Sequence, residues 1–155
     1  MGKLIVCLHN VHSGRKVEEI AKLSFSLGCD LLVISKPSGT AAQVGVPIAS
    51  RIAFESEKSL LVTRDLEEAI EVLNPRKVYI GELPERGGRR KLDYEEVVSQ
   101  LEEGDVMFVV SGSPPGVSSR DQELGEVVYL IERDLGSIGA VAVFLYEILK
   151  LKKEG

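Results

Sequence analysis

Tryptophan is absent, and aromatic residues make up only 5% of the chain, four Tyr and four Phe. A core with so few large rings has to be built from Val, Leu, Ile and Ala, which suits a sheet covered by helices on both faces. Cysteine occurs twice, at Cys7 and Cys29. Both lie in or beside apolar segments, where a reduced thiol acts as a small hydrophobe, and neither belongs to a CxxC pair, so no zinc site is expected. Asn and Gln together number five, against abundant Glu, Lys and Arg, a bias seen in thermophile proteins. No run approaches the ~18 apolar residues needed to cross a bilayer. The start lacks the basic, apolar and small-residue regions of a secretory signal, which predicts a cytoplasmic protein. Excess positive charge is also missing: 19 Lys and Arg face 24 Asp and Glu, for a net charge of −5. A uniformly basic nucleic-acid coat is excluded, and any RNA contact must be a local patch. What remains is 155 residues with 44% hydrophobic and 28% charged side chains, the size and balance of one folded domain.

Apolar periodicity gives alternating strands and helices. Residues 3–8 form a continuous apolar strand, and Val17, Ile20, Ala21, Leu23 and Leu27 recur at helical spacing over 16–27, ending at Gly28. A second buried strand is expected over 30–35, then a turn at Lys36-Pro37-Ser38-Gly39, and the small residues of 40–52 suggest a short helix and a loop. Further strands are expected at 60–62, 77–80, 105–110 and 127–131, with loops at 81–92 and 111–120. Asp65 caps a helix running to Leu73, Asp93 caps one running to Leu101, and a last helix covers 137–152. This order predicts a single α/β domain over 1–155, with a parallel sheet, helices on both faces and ligand sites at the carboxyl ends of the strands.

Three segments carry chemistry on their own residues. His9-Asn10-Val11-His12-Ser13-Gly14-Arg15-Lys16, in the loop expected after the first strand, holds both histidines of the chain. His9 or His12 suits proton transfer near neutral pH, with Asn10 in the same loop and Arg15 and Lys16 beside it to hold an anion. The competing reading is a strand end with satisfied side chains and a helix cap at Ser13. No Cys or carboxylate cluster joins these histidines, so no metal site is expected. Arg86-Gly87-Gly88-Arg89-Arg90-Lys91 is the densest basic run. Glycines beside Arg86, Arg89, Arg90 and Lys91 let these cations follow a phosphate backbone, which makes the run the RNA-contact candidate, against a plain solvated loop. The last helix carries Ile138, Val141, Val143, Phe144, Leu145, Tyr146, Ile148 and Leu149 around its whole circumference. A surface helix does not tolerate that pattern, so the helix is expected either between the sheet and a second copy, forming a homodimer, or at the centre of a monomer core.

Leu135-Gly136-Ser137-Ile138-Gly139-Ala140-Val141-Ala142-Val143-Phe144-Leu145-Tyr146-Glu147 resembles the third motif of the SpoU-TrmD, or SPOUT, RNA methyltransferases. Met107-Phe108-Val109-Val110-Ser111-Gly112-Ser113-Pro114-Pro115-Gly116-Val117-Ser118 is similar to their second motif, an apolar strand followed by a glycine-bearing loop. More narrowly, the whole chain resembles DUF531, an archaeal family of short SPOUT-like proteins. The resemblance implies a C-terminal trefoil knot, a dimer, and S-adenosyl-L-methionine bound within the knot loops. Carried onto this chain, the cofactor contacts are Val110, Ser111, Gly112, Gly116, Ile131, Leu135, Gly136, Ser137, Ile138 and Gly139. The glycines let backbone groups approach an adenine and a ribose, and the apolar side chains face the ring. Aligning Ser26–Asp30 to the first motif puts Lys22 where the family has an Arg, and Lys lacks the bidentate guanidinium contact. Pro114 stands where the family has Glu, and Gly136 and Ile138 where it has Asn and Ser.

The resemblance implies a methyltransferase acting on tRNA or rRNA; taken with the residue readings above, Arg15, His12, Asn10 and Lys22 are the catalytic candidates and Arg15, Lys16, Arg86, Arg89, Arg90 and Lys91 the RNA contacts. The departures motivate the alternative, a knotted module that keeps cofactor or RNA affinity without methyl transfer. A nucleotide-binding domain ranks last, because no GxGxxG follows the first strand and no GxxxxGK[ST] occurs.

Overall fold

Strand β1 (Leu4–Val11) lies in the interior of the sheet because both of its edges are taken, by β2 (Leu31–Pro37) and by β6 (Val106–Ser111). The computed structural model describes residues 1–154. Its remaining strands are β3 (Ser59–Thr63), β4 (Lys77–Gly81), β5 (Arg90–Lys91) and β7 (Glu126–Tyr129), and every pairing is parallel in the order β3-β2-β1-β6-β4-β7-β5. The helices are α1 (Gly14–Ser26), α2 (Val46–Glu55), α3 (Leu66–Leu73), α4 (Tyr94–Glu103), α5 (Ser119–Gln122) and α6 (Gly136–Glu154).

Alternation along the strands builds two cores. Leu4, Val6 and Leu8 share one face with Leu32, Ile34, Val106, Phe108 and Val110, packed against α1, α2, α4 and α6. Phe108 stacks on Phe144 of α6 with centroids 4.1 Å apart. On the other face Ile5, Cys7, Val33, Met107, Val109 and Ile80 lie under the eight-residue α3 and the segment around the four-residue α5. Both cysteines are fully buried, and burial pushes each thiol up to about 12, so they serve as core residues.

Local chemistry sets the helix starts. Ser13 Oγ accepts the Lys16 N–H, Asp65 the Glu68 N–H and Asp93 the N–H groups of Glu95 and Glu96. Two segments differ from the sequence expectation. Residues 41–55 are helical, a π-turn over Ala41–Gly45 running into α2. Their small side chains serve close packing: a Cβ on Gly45 would stand 2.9 Å from Val17 Cβ. Strand β1 runs on to Val11, since His9 is in register with Ser35 on one side and Ser111 on the other. His9 and Asn10 therefore lie in the strand and not in the loop after it.

Strand order positions the site. β6 lies between β1 and β4, and β7 between β4 and β5, so each enters between strands that precede it in the chain. The segments following β4, β6 and β7 therefore converge at one carboxyl edge, where open parallel sheets take their ligands. No helix among the described residues is long and apolar enough to cross a membrane.

Candidate functional site: a cavity at the carboxyl edge

A cavity of about 320 Å³ opens where these segments meet. Gly81, Glu82 and Leu83 after β4 form one wall, Val110 to Pro114 and Gly116 another, and Tyr129 to Ile131 with Arg133 to Ser137 and Ala140 close it. Lys16 of α1 and Arg86 stand at its sides. The volume falls at the lower end of the ~300–1,000 Å³ usual for ligand pockets.

The loop after β6 is fixed at several points. Its Gly112 N–H donates to the His9 carbonyl at 2.7 Å and Ser113 Oγ to the Asn10 carbonyl at 2.6 Å. The Val117 N–H donates to Glu82 Oε2 at 2.5 Å, and Arg86 Nη1 to the Pro115 carbonyl at 2.8 Å. Lys16 Nζ reaches the Gly112 carbonyl at 2.8 Å. The wall is thus preformed by polar contacts from β1, β4 and α1.

Of the ten residues assigned to a cofactor from sequence, Val110, Ser111, Gly112, Gly116, Ile131, Leu135, Gly136 and Ser137 line this cavity. Ile138 and Gly139 do not: helical rotation carries Ile138 onto the hydrophobic core, and puts Gly139 against Leu135. The Gly112 position is dictated by the chain itself, because a Cβ there would meet Val11 Cβ at 2.6 Å. Ser137 Oγ is buried and has no hydrogen-bond partner. An unpaired buried hydroxyl in a cavity wall is costly unless a ligand satisfies it. Apolar walls from Val110, Leu130, Ile131 and Leu135 together with this orphan hydroxyl fit an adenosyl ligand.

The candidates from the first loop separate. His9 is 4% exposed, its Nδ1 2.8 Å from Ser35 Oγ and its Nε2 3.3 Å from Asp121 Oδ2. Burial holds its pKa below the ordinary value, against the pull of Asp121, so it is neutral near pH 7. Asn10 sits at φ 58°, which Asn tolerates. His12 is exposed and pairs with Ser38 Oγ through Nδ1. Arg15 is exposed on α1, 3.5 Å from Glu19. Lys22, two turns further along α1, pairs with Glu18 at 2.8 Å and does not line the cavity. Among the basic residues of this segment, Lys16 is the one that lines it.

The basic run is equally divided. Arg90 is held by Glu126 and by Glu96, with Nη2 2.7 Å from Glu96 Oε2, and Glu96 also accepts the Tyr79 hydroxyl at 2.6 Å. Arg89 and Lys91 are exposed and, among the described residues, form no ion pair. Glu82, Arg133 and Asp134, unmarked by the motif reading, also line the cavity. The signal for Glu82 was its position directly after a strand, but nothing local says that β4 lies beside β6.

Solved structures share this fold. A "putative methylase family protein" from Neisseria gonorrhoeae matches with a TM-score of 0.78 and 15% identity, over 98% of this chain and 84% of that one. AviRb from Streptomyces viridochromogenes, a SpoU methyltransferase in complex with AdoMet, matches with a TM-score of 0.72 and 13% identity, over 99% of this chain and 62% of that one. The AdoMet-bound rRNA methyltransferase of Sinorhizobium meliloti gives 0.71 and 13%, over 97% and 57%. The fold is that of the SPOUT methyltransferases. By sequence, a protein of Methanocaldococcus jannaschii named "Putative type II restriction enzyme" is 32% identical over 97% of this chain and 99% of its own. One of the same description from Aeropyrum pernix is 38% identical over 96% and 94%. The family profile that matches, over residues 39–147, is different from the DUF531 of the sequence reading. The chain belongs to the family described as RecB-family nuclease (DUF2122), carried on a SPOUT methyltransferase fold.

Proposed function

We propose that this chain binds S-adenosyl-L-methionine in the carboxyl-edge cavity and methylates RNA, a tRNA or an rRNA, in the cytoplasm. The observation that carries the reading is the meeting of the loops 112–116 and 134–137 around an apolar cavity with an unpartnered hydroxyl, Ser137 Oγ. When bound, the cofactor supplies an electrophilic methyl group. Val110, Ile131 and Leu135 would hold the adenine between apolar faces and exclude water. Lys16, steadied by the Gly112 carbonyl, with Arg86 beside the cavity, would place an RNA phosphate at its mouth. Arg89, Lys91, Arg15 and His12 are exposed and extend that contact. A proton acceptor is needed only if the acceptor atom is a hydroxyl oxygen.

Two architectural proposals accompany this reading. The C-terminal segment forms a trefoil knot, supported by the entry of β6 and β7 between earlier strands and checked by a crystallographic backbone trace. Helix α6 forms a homodimer, supported by its outer row: Val143 and Leu149 are half-buried and Tyr146 is 53% exposed, while Val141, Phe144, Leu145 and Ile148 are buried. Sedimentation equilibrium checks it.

The family description suggests phosphodiester cleavage. Metal-assisted cleavage needs converging carboxylates to hold its ions. Among the described residues no group of three or more His, Cys, Asp and Glu side chains that could hold a metal occurs, while two carboxylates, Glu82 and Asp134, line the cavity. A binding module without turnover is the alternative, motivated by Pro114, Gly136 and Ile138, which stand where the SPOUT motifs have Glu, Asn and Ser.

Calorimetric titration with S-adenosyl-L-methionine, with ATP as control, tests the reading, followed by transfer of labelled methyl groups to RNA. Binding with transfer is the expected result. Binding without transfer supports the module, and no binding overturns the cofactor site.

A further inference from the structure

His9 meets the segment that walls the cavity at both of its ends. At the start, its carbonyl accepts the Gly112 N–H at 2.7 Å, and Ser113 Oγ donates to the next carbonyl, that of Asn10, at 2.6 Å. At the far end its ring meets Asp121, with Nε2 3.3 Å from Oδ2. Between these anchors Ser113, Pro114 and Gly116 line the cavity. Asp121 is itself fixed, since its N–H donates to Ser118 Oγ at 3.1 Å. The neighbouring Gln122 donates through Nε2 to the carbonyls of Arg86 at 2.8 Å and Val117 at 3.1 Å, which ties this end to Arg86, another residue of the lining.

The imidazole is oriented from both sides. A carboxylate only accepts, so Nε2 carries the proton toward Asp121, and Nδ1 accepts the Ser35 hydroxyl at 2.8 Å. Ser35 Oγ lies 3.4 Å from Cys7 Sγ, whose S–H donates to it in the same sense. Cys7, Ser35, His9 and Asp121 thus form one directed chain from the core of the sheet to α5. Cys7 and Ser35 are fully buried and His9 nearly so, which shields the inner bonds from water and strengthens them.

We propose that His9 is a positioning residue of the cavity: by holding both ends of segment 112–121 it keeps Ser113, Pro114 and Gly116 where S-adenosyl-L-methionine meets them. This role rests on the cofactor reading above. His9 does not line the cavity and acts on the ligand through Asp121 and the loop. A wall released at one end is in place for only part of the time, and affinity falls by that fraction.

Asp121→Ala removes the acceptor at the partly exposed end of the chain, Asp121→Asn keeps an oxygen for the Nε2 proton, and His9→Leu removes the ring. Circular dichroism confirms that each variant folds. Calorimetry with S-adenosyl-L-methionine reads affinity on the full chain, and amide hydrogen exchange read by mass spectrometry follows the wall. Asp121→Ala is expected to weaken affinity about tenfold and to speed exchange over 112–121 by about as much, with β1 and β6 unchanged, while Asp121→Asn stays within about twofold of the unaltered chain. His9→Leu should repeat the loss, and the double variant with Asp121→Ala should lose no more than about the larger single loss. Unchanged affinity in Asp121→Ala, an equal loss in Asp121→Asn, additive losses in the double variant, or exchange rising alike over the whole sheet overturns the inference while leaving the cofactor site standing. No binding of S-adenosyl-L-methionine to the unaltered chain overturns the cofactor reading itself and this role of His9 with it.

Discussion

His9 Nε2 lies 3.3 Å from Asp121 Oδ2, linking the centre of the sheet to the short helix α5. Since α5 continues the loop that walls the cavity, the pair helps to fix that wall from the opposite face of the sheet.

Burial keeps His9 neutral by lowering its pKa from the ordinary 6.5. Between the folded value and 6.5 the unfolded chain therefore binds more protons, and stability is complete above about pH 6.5 and falls as pH drops below it. The slope is at most ~1.4 kcal/mol per pH unit for one such group. Urea unfolding at pH 7.5 and 5.5 should show this loss, and His9→Gln should flatten it. An unaltered slope in the variant would assign the effect elsewhere.

Arg90 pulls the Glu126 carboxyl down to about 2, with Lys77 assisting. Because the folded pKa is the lower one, this stabilisation is present above pH 4.5 and is lost as pH falls from there through about 2. The full shift corresponds to ~3 kcal/mol, which solvent screening of a side chain 30% exposed reduces to about 1–2 kcal/mol. Arg90→Gln should lower stability at pH 7 by about 1–3 kcal/mol and shrink the loss between pH 7 and pH 3. Equal stability of variant and unaltered chain at pH 7 would show that the network contributes nothing.

That ion-pair network marks where sequence reading reaches its limit. Ser13, Asp65 and Asp93 were legible as caps because their partners lie two or three residues away. The apolar run of β6 and the glycines at 112, 116 and 136 were legible for the same local reason. The role of Arg90 was not, because Glu126 lies 36 residues away and comes alongside only when β7 pairs with β5. Glu82 reaches the Val117 N–H across 35 residues, and Ser113 reaches Asn10 across 103. Small residues over 40–52 read as irregular because the close contact with α1 that they permit is tertiary.

RNA affinity should depend on the exposed part of the basic run. Each lost phosphate contact lowers the slope of log K against log salt by about 0.7–0.9. Arg89→Gln with Lys91→Gln should therefore flatten the slope by about 1.4–1.8 and weaken binding across unrelated RNA sequences. Filter binding over a salt series measures both, and an unchanged slope removes this loop from the interface.

Gly136 begins α6 at φ +69° with open space where a Cβ would stand. A side chain there is strained by ~1–2 kcal/mol and stands at a position that lines the cavity. Gly28, at φ +93° and likewise with nothing within 4 Å, carries the same backbone demand and does not line the cavity. Comparing the two separates strain from position. Gly136→Val is expected to weaken S-adenosyl-L-methionine binding more than about tenfold, while Gly28→Val, under a similar backbone strain, lowers thermal stability and leaves affinity intact. Calorimetry and thermal unfolding on both variants read the two quantities. Equal affinity losses would make strain the cause, and an unchanged affinity in Gly136→Val would take the start of α6 out of the ligand site.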